Sequence, residues 1–352
     1  MSIKILAIET SCDETSAAVV ADGKDILSNI ISSQVEAHQK FGGVVPEVAS
    51  RKHLELMNGV IREALDRAGC DFKDLDAVAV TYGPGLVGAL LVGLAAAKAA
   101  AFALDIPLIG VNHLEGHIYA NFLADDGLSF PLLGLIVSGG HTDLVLIEGH
   151  GRYRTVGRTR DDAAGEAFDK VARTLGLGYP GGPLVDKLAA GGDEAAIVLP
   201  RAYLEEGSLD FSFSGLKSAV INYLRRARQR GEEVNLADLA AGFRRSVVDV
   251  LADKALEAAG KYDPRVIILA GGVAANALLR EELARRALAD GRRLVVPPLV
   301  LCTDNAAMIG CAAYYKYLRG DVAPLTLNAV PGLKLGENRY DYMSKNSKSG
   351  RM

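Results

Sequence analysis

Short apolar runs alternate with small polar turns along this chain, and the alternation recurs. Residues 3–8 are apolar, residues 9–16 (Glu9-Thr10-Ser11-Cys12-Asp13-Glu14-Thr15-Ser16) are polar, and residues 17–20 are apolar again. That pattern predicts a strand, a turn and a return strand. Residues 132–137 repeat it, with Ser138-Gly139-Gly140-His141-Thr142 as the turn and 144–147 as the return. From Glu47 to Cys70, Val48, Leu54, Met57, Val60, Ile61, Ala64, Leu65 and Ala68 fall near helical spacing, and Gly69 stops the run. Residues 76–81 read as a buried strand, Gly83-Pro84-Gly85 as a turn and 86–104 as a buried helix. In the second half, 236–259 read as a helix closed by Gly260 and 266–270 as a buried strand. Gly271-Gly272 then make the turn, and 274–288 another helix.

The order is the same in both halves: hairpin, helix, strand, glycine turn, helix. It predicts a duplicated α/β unit, giving two lobes with a cleft between them. Residues 149–160, basic and polar, and 176–192, rich in Gly and Pro, read as loops of the second lobe. The polar end from Gly336 reads as a loosely held tail.

A length of 352 residues fits two domains with a sizeable core, and 49% apolar residues exclude disorder for most of the chain. The net charge of −4 leaves nucleic-acid contact to local patches or to a partner. The absence of Trp argues against a base-stacking platform. Cys12, Cys70, Cys302 and Cys311 form no CxxC pair, which fits a reducing, cytoplasmic compartment. The N-terminal apolar run is too short for a signal peptide. The apolar stretch 77–104 is broken by Gly83-Pro84-Gly85 and Lys98, so no membrane is expected.

Chemistry enters at Asn112-His113-Leu114-Glu115-Gly116-His117. Asn112 is a good helix cap, and the i, i+4 spacing puts both imidazoles on one helix face. Such a pair can hold a metal or can be two surface histidines at a helix start. Glu115 stands two residues after His113, roughly 200° around the helix, so it points away from the pair. In a HExxH protease the glutamate comes one residue after the first histidine, so the geometry counts against that reading. Asp304, before a predicted helix, is either a distant third ligand or, like Thr303, an N-terminal cap. The glycine turns at Ser138-Gly139-Gly140 and Gly271-Gly272 offer backbone N–H groups to phosphate at strand ends. In Asp161-Asp162-Ala163-Ala164-Gly165-Glu166-Ala167-Phe168-Asp169-Lys170 the acids can cap a helix, and Asp169 can accept from ribose or an amino acid. Two basic runs, Arg152, Arg154, Arg158, Arg160 and Arg225, Arg226, Arg228, Arg230, are solvated faces or RNA phosphate contacts.

Nine marks in order carry a resemblance: 9–15, 47–53, 82–85, 112–117, 137–142, 161–170, 211–217, 271–276 and 303–305. Across residues 5–335 the chain resembles the tRNA N6-adenosine threonylcarbamoyltransferases, formerly called O-sialoglycoprotein endopeptidases. The resemblance implies the actin/Hsp70/sugar-kinase fold. We expect a first lobe at 1–127, a second at 128–300, a helical segment at 301–335 returning to the first lobe and a flexible tail at 336–352. The resemblance implies one metal, iron or zinc, on His113, His117 and Asp304. It implies that Ile136, Val137, Ser138, Gly139, Gly140, Asp169, Gly182, Asp186 and Asn276 hold the substrate. That substrate is L-threonylcarbamoyl-AMP, made by a separate adenylate-forming enzyme; ATP is a second nucleotide to consider. The acceptor is N6 of adenosine 37 in tRNAs reading codons that begin with A. Asp13 or Glu14, near the first hairpin turn, is the candidate for the amine proton. Further partners implied are a shorter paralogous subunit, docking through the first lobe, and a small P-loop ATPase. The competing readings are a metalloprotease, a sugar kinase or Hsp70-like ATPase of the same fold, and a non-catalytic scaffold.

Overall fold

The computed structural model describes residues 2–337. The tail expected over 336–352 lies, beyond Glu337, outside the described residues.

Two five-stranded sheets share one topology. The first contains β1 (Lys4–Glu9), β2 (Glu14–Ala21), β3 (Asp25–Ser33), β4 (Ala77–Gly83) and β5 (Leu108–Asn112), in the order β3-β2-β1-β4-β5. The second contains β6 (Leu132–Val137), β7 (Thr142–Gly149), β8 (Arg152–Arg158), β9 (Val266–Ala270) and β10 (Arg293–Val295), in the order β10-β9-β6-β7-β8. In each, a central strand pairs antiparallel with its hairpin partner and parallel with the later strand. The central strands are apolar along nearly their whole length because helices cover both faces.

Those helices are α1 (Val35–Gln39), α2 (Pro46–Ala68), α3 (Val87–Leu104) and α4 (His113–Ala124) in the first half. The second half has α5 (Ala164–Thr174), α6 (Gly181–Ala189), α7 (Ser214–Arg230), α8 (Leu236–Tyr262), α9 (Ala277–Ala289), α10 (Leu299–Cys302) and α11 (Ala306–Leu318). The last helix of each half crosses over. α4 packs on β9 and β6 of the second sheet, whereas α11 packs on β1 and β2 of the first. One apolar cluster therefore joins both sheets, running from Ile5 and Val20 through Ile118 and Ile309 to Ile136 and Ile268.

Several expectations change. Residues 152–158 are not a loop but the edge strand β8, and part of the Gly/Pro-rich stretch 176–192 is α6. Gly260 lies inside α8, which ends instead at Asp263 in the left-handed conformation (φ 48°). The helix expected from Ala274 is a 3₁₀ turn, Gly272–Ala275, and α9 begins after Asn276, whose side chain caps it. α3 is buried on one face only: Val87, Leu91 and Phe102 are 54%, 45% and 74% exposed. By length and composition α3 is, among the described residues, the one helix apolar enough to cross a membrane.

Candidate metal centre and substrate cleft

The starts of the two crossed helices meet. Asn112 ends β5 and caps α4, accepting from the backbone N–H of Leu114 and Glu115 at 2.9 and 3.4 Å. Asn305 caps α11 in the same way, accepting from Met308 N at 3.0 Å, so neither Thr303 nor Asp304 is the cap. Asp304 is thereby left facing the first turn of α4. One donor atom from each of His113, His117 and Asp304 lies within 4.8 Å of the others. Asp304 Oδ1 is 3.5 Å from His113 Nε2 and 3.3 Å from His117 Nε2.

Polar satisfaction separates the two imidazoles. His113 Nδ1 lies 3.2 Å from Glu9 Oε2 and 3.1 Å from Ser11 Oγ. Both ring nitrogens of fully buried His117 lack an aligned hydrogen-bond partner. Buried polar atoms are normally satisfied, so an imidazole without an aligned partner, 3.3 Å from a carboxylate, suits a ligand position. Two imidazole nitrogens and one carboxylate oxygen form a donor set that iron or zinc accepts. Burial favours the neutral acid of Asp304, but the imidazoles of His113 and His117 hold its carboxyl down at about 2. Burial opposes charge on His113, yet the Asp304 and Glu9 carboxylates raise it to about 9.

Glu115 faces the other way. Its Oε1 accepts from the Tyr153 hydroxyl at 2.7 Å, and its Oε2 is 3.9 Å from Lys316 Nζ. It takes no part in the cluster, which removes the general base a zinc protease would need.

The cleft walls come from the second lobe. The side chains of Ile136 and Val137 are in the core, so only their backbone can meet a ligand. At the β6–β7 turn, Ser138 N donates to the His141 carbonyl (2.8 Å) and Ser138 Oγ accepts from His141 N (3.2 Å). Open space stands where Gly139 and Gly140 would carry Cβ atoms. Gly165, at the start of α5, lies so close beneath the turn that a Cβ would be 2.5 Å from the Ser138 carbonyl. Asp169 Oδ1 accepts from Gly181 N at 2.7 Å, and burial raises its carboxyl. Gly182 opens onto free space. Asp186 Oδ1 accepts from Arg244 Nη1 (2.8 Å) and Asn276 Nδ2 (3.0 Å), joining α6, α8 and the turn after β9. Asp161 and Asp162 do not cap α5: Asp161 accepts from Ser212 and Ser214, and Asp162 from Lys170.

On the first-lobe side, Asp13 Oδ2 accepts from the Tyr179 hydroxyl at 3.2 Å across the cleft. Burial, and then the neighbouring Asp13 charge, push the Glu14 carboxyl up to about 8. Burial also pushes the Cys12 thiol well up, which suits a bystander.

The family model for tRNA N6-adenosine threonylcarbamoyltransferase matches residues 25–311. A tRNA N6-adenosine threonylcarbamoyltransferase of Moorella thermoacetica is 64% identical over 94% of this chain and 97% of its own length. The chain belongs to the tRNA N6-adenosine threonylcarbamoyltransferase family. It is therefore a transferase that carries out tRNA threonylcarbamoyl transfer. Relatives of the same name in Desulfitobacterium hafniense and Clostridioides difficile are 62% and 57% identical, covering 95% and 94% of this chain and 98% of each relative.

Solved structures are similar in fold. HypF of T. kodakarensis matches 91% of this chain and 48% of its own, with a TM-score of 0.61 and 15% identity. Component A of the Acidaminococcus fermentans (R)-2-hydroxyglutaryl-CoA dehydratase matches 91% and 99%, with a TM-score of 0.52 and 16% identity. The fold of this chain is the actin/Hsp70/sugar-kinase fold.

Three residues of the cluster and cleft were not singled out from the sequence. His141 faces it from the β6–β7 turn; burial, and then the charges of His113 and His117, hold its imidazole down at about 4. Its signal was its place in Ser138-Gly139-Gly140-His141-Thr142, read for its glycines and hydroxyls but not for the imidazole. Glu9 ends a buried strand, where an acid has no packing role, and Tyr179 carries no signal in the chain pattern.

Proposed function

We propose that this chain transfers the threonylcarbamoyl group from L-threonylcarbamoyl-AMP to N6 of adenosine 37, in tRNAs reading codons that begin with A, and that it does so with one iron or zinc ion on His113, His117 and Asp304. The orphaned imidazole of His117, beside Asp304, is the observation that carries the metal. When bound, the ion supplies positive charge for oxygens of the acyl-adenylate.

The remaining roles belong to side chains and backbone. Gly139 and Gly140 offer N–H groups to the phosphate, with Ile136, Val137 and Ser138 setting the strand end beneath it. Asp186 and Asn276, braced by Arg244, bound the nucleotide end, and Asp169 with Gly182 the wall between. The amine N6 attacks the carbamoyl carbon, the bond from that carbon to the phosphate oxygen breaks, and AMP leaves. The amine proton passes to the Asp13 carboxylate. Glu14, protonated below about pH 8, suits proton donation rather than acceptance.

The acyl-adenylate comes from a separate adenylate-forming enzyme, and ATP is the other adenine nucleotide that suits the cleft. A shorter paralogous subunit on the first lobe and a small P-loop ATPase complete the assembly, in the cytoplasm. The lobes divide at 1–127 and 128–300, with 301–335 returning to the first.

The test is reconstitution with threonine, bicarbonate, ATP, the adenylate-forming enzyme, the helper subunits and tRNA, with the modified nucleoside read by mass spectrometry. His113→Ala with His117→Ala abolishes metal uptake and product. Full activity of that variant in the presence of chelator refutes the metal role.

A further inference from the structure

The acidic chain has to meet a polyanion, and its basic runs differ in how free they are. In the first run, Arg160 is paired with Glu205 and Asp210 at 3.0 and 2.9 Å. Arg154 lies 3.7 Å from Glu148 and over the Tyr262 ring. Arg152 donates to the Glu148 carbonyl. On α8 and α9, Arg245 and Arg286 are bound up with Asp249 and Glu282.

α7 is different. From Ser214 to Arg230 it contains no acid, and it carries Lys217, Arg225, Arg226, Arg228 and Arg230. Among the described residues, only Arg230 of these five forms an ion pair, 3.7 Å from Glu232. The helix buries Leu216 and Val220 in the second-lobe core, and Ala227 is buried beside them. At about 100° per residue, Arg228, Arg225 and Arg226 spread over roughly 160° on the half of the helix turned away from that core, and all three are exposed.

The helix also starts in the right place. Ser212 and Ser214 hydroxyls donate to Asp161 Oδ2 at 2.6 and 2.7 Å, and Phe213 N donates to Asp161 Oδ1 at 2.8 Å. Asp161 leads directly into α5, whose first residues hang from the β6–β7 turn: Ala164 N on Thr142 Oγ1 (2.9 Å) and Gly165 N on the Ser138 carbonyl (3.3 Å). α7 therefore starts two hydrogen-bonded links from the cleft turn and is roughly 25 Å long. A loop base delivered to the cleft leaves its stem outside, and α7 is a cationic helix with an exposed side whose first turn is tied to the elements of that cleft.

We propose that the arginine face of α7 is the docking surface for the phosphate backbone of the tRNA anticodon stem. The proposal rests on the tRNA-modifying reading and adds where the RNA lies. Phosphate contacts of this kind release counterions, so affinity falls with salt in proportion to their number.

The experiment measures binding of unmodified tRNA to the full chain between about 50 and 200 mM salt. The variant is Arg225→Glu with Arg226→Glu and Arg228→Glu. Its affinity is expected to fall at least tenfold, and the slope of log affinity against log salt to shrink by about 2–3, close to one per lost phosphate contact. Arg152→Glu with Arg154→Glu leaves both unchanged, and AMP release from L-threonylcarbamoyl-AMP without tRNA is unaltered in either variant. Wild-type affinity and slope in the triple variant overturn the proposal. Should the glutamates unfold α7, seen as lost helical circular dichroism, the corresponding glutamine variant carries the same two readouts. A wild-type chain that binds tRNA but never turns over the adenylate refutes the proposed chemistry while the salt slope still decides the docking surface.

Discussion

Glu9 Oε2 lies 3.2 Å from Nδ1 of His113, and the carboxylate that holds this position has no exposure to solvent. Its oxygens are fixed from elsewhere: Oε1 accepts from Ser11 N and Oε2 from the Thr81 hydroxyl, both at 2.5 Å. A buried carboxylate on Nδ1 selects the tautomer that carries its proton there and leaves Nε2 free toward Asp304. Glu9→Gln is therefore expected to weaken metal binding by about 10–100-fold, measured by competition with a chromophoric chelator. An unchanged dissociation constant would remove Glu9 from the centre.

A pH dependence follows from Glu14. Its carboxyl is held at about 8 in the folded protein, above the ordinary 4.5, by burial and by Asp13. The folded state thus binds the proton more tightly than the unfolded chain. The stabilisation is complete below about pH 4.5 and is lost as pH rises through 8. Glu14→Gln, which imitates the protonated form, should match wild type near pH 4.5 and exceed it by on the order of 3 kcal/mol at pH 9 in denaturant unfolding. Parallel curves for the two proteins would contradict this.

The lobes touch across the cleft through Tyr179 and Asp13 (3.2 Å) and through Arg173 Nη2 and the Gly42 carbonyl (2.6 Å). At about 0.5–1.5 kcal/mol for each hydrogen bond, Tyr179→Phe with Arg173→Ala should shift the closed-to-open ratio by roughly 5–150-fold. Amide hydrogen exchange in residues 11–14 and 40–45 would speed up accordingly, and unaltered exchange would show that closure rests on other contacts.

Gly271 follows β9 with φ 92°, and a Cβ there would stand 2.4 Å from the Val137 carbonyl. Gly271→Ala is expected to cost at least about 1–3 kcal/mol from the backbone conformation alone. The clash also forces β6 and β9 apart at the cleft. Thermal unfolding measures the first effect, and loss of nucleotide binding the second.

Much of this was legible in the chain. The duplicated order survives because β1, β6, β4 and β9 are buried on both faces and read as unbroken apolar runs. β8 was hidden because an edge strand can alternate charged and half-buried residues, as Arg152, Arg154 and Arg158 do. α6 was hidden because Pro183 sits in its first turn, where proline is tolerated, and the glycines beside it read as loop. Gly260 misled because a glycine in the last turn of a helix does not by itself end it, whereas Asp263 carried the left-handed stop. At the site, the His pair was visible from spacing, but Asp304 was indistinguishable from a cap until Asn305 proved to be the cap. Glu9 and His141 needed three dimensions, since their partners lie on other strands and helices.

The crossing of α4 and α11 has a consequence for biosynthesis. A chain leaving the ribosome N-terminus first exposes both histidines while the second lobe is still untranslated, and Asp304 arrives only after that lobe has emerged. Until then α4 lacks β6 and β9, the second-sheet strands it packs on, and the cluster lacks its carboxylate. A stalled or truncated chain therefore has no three-donor site. Metal capture at this place can report that translation and folding of both halves are finished.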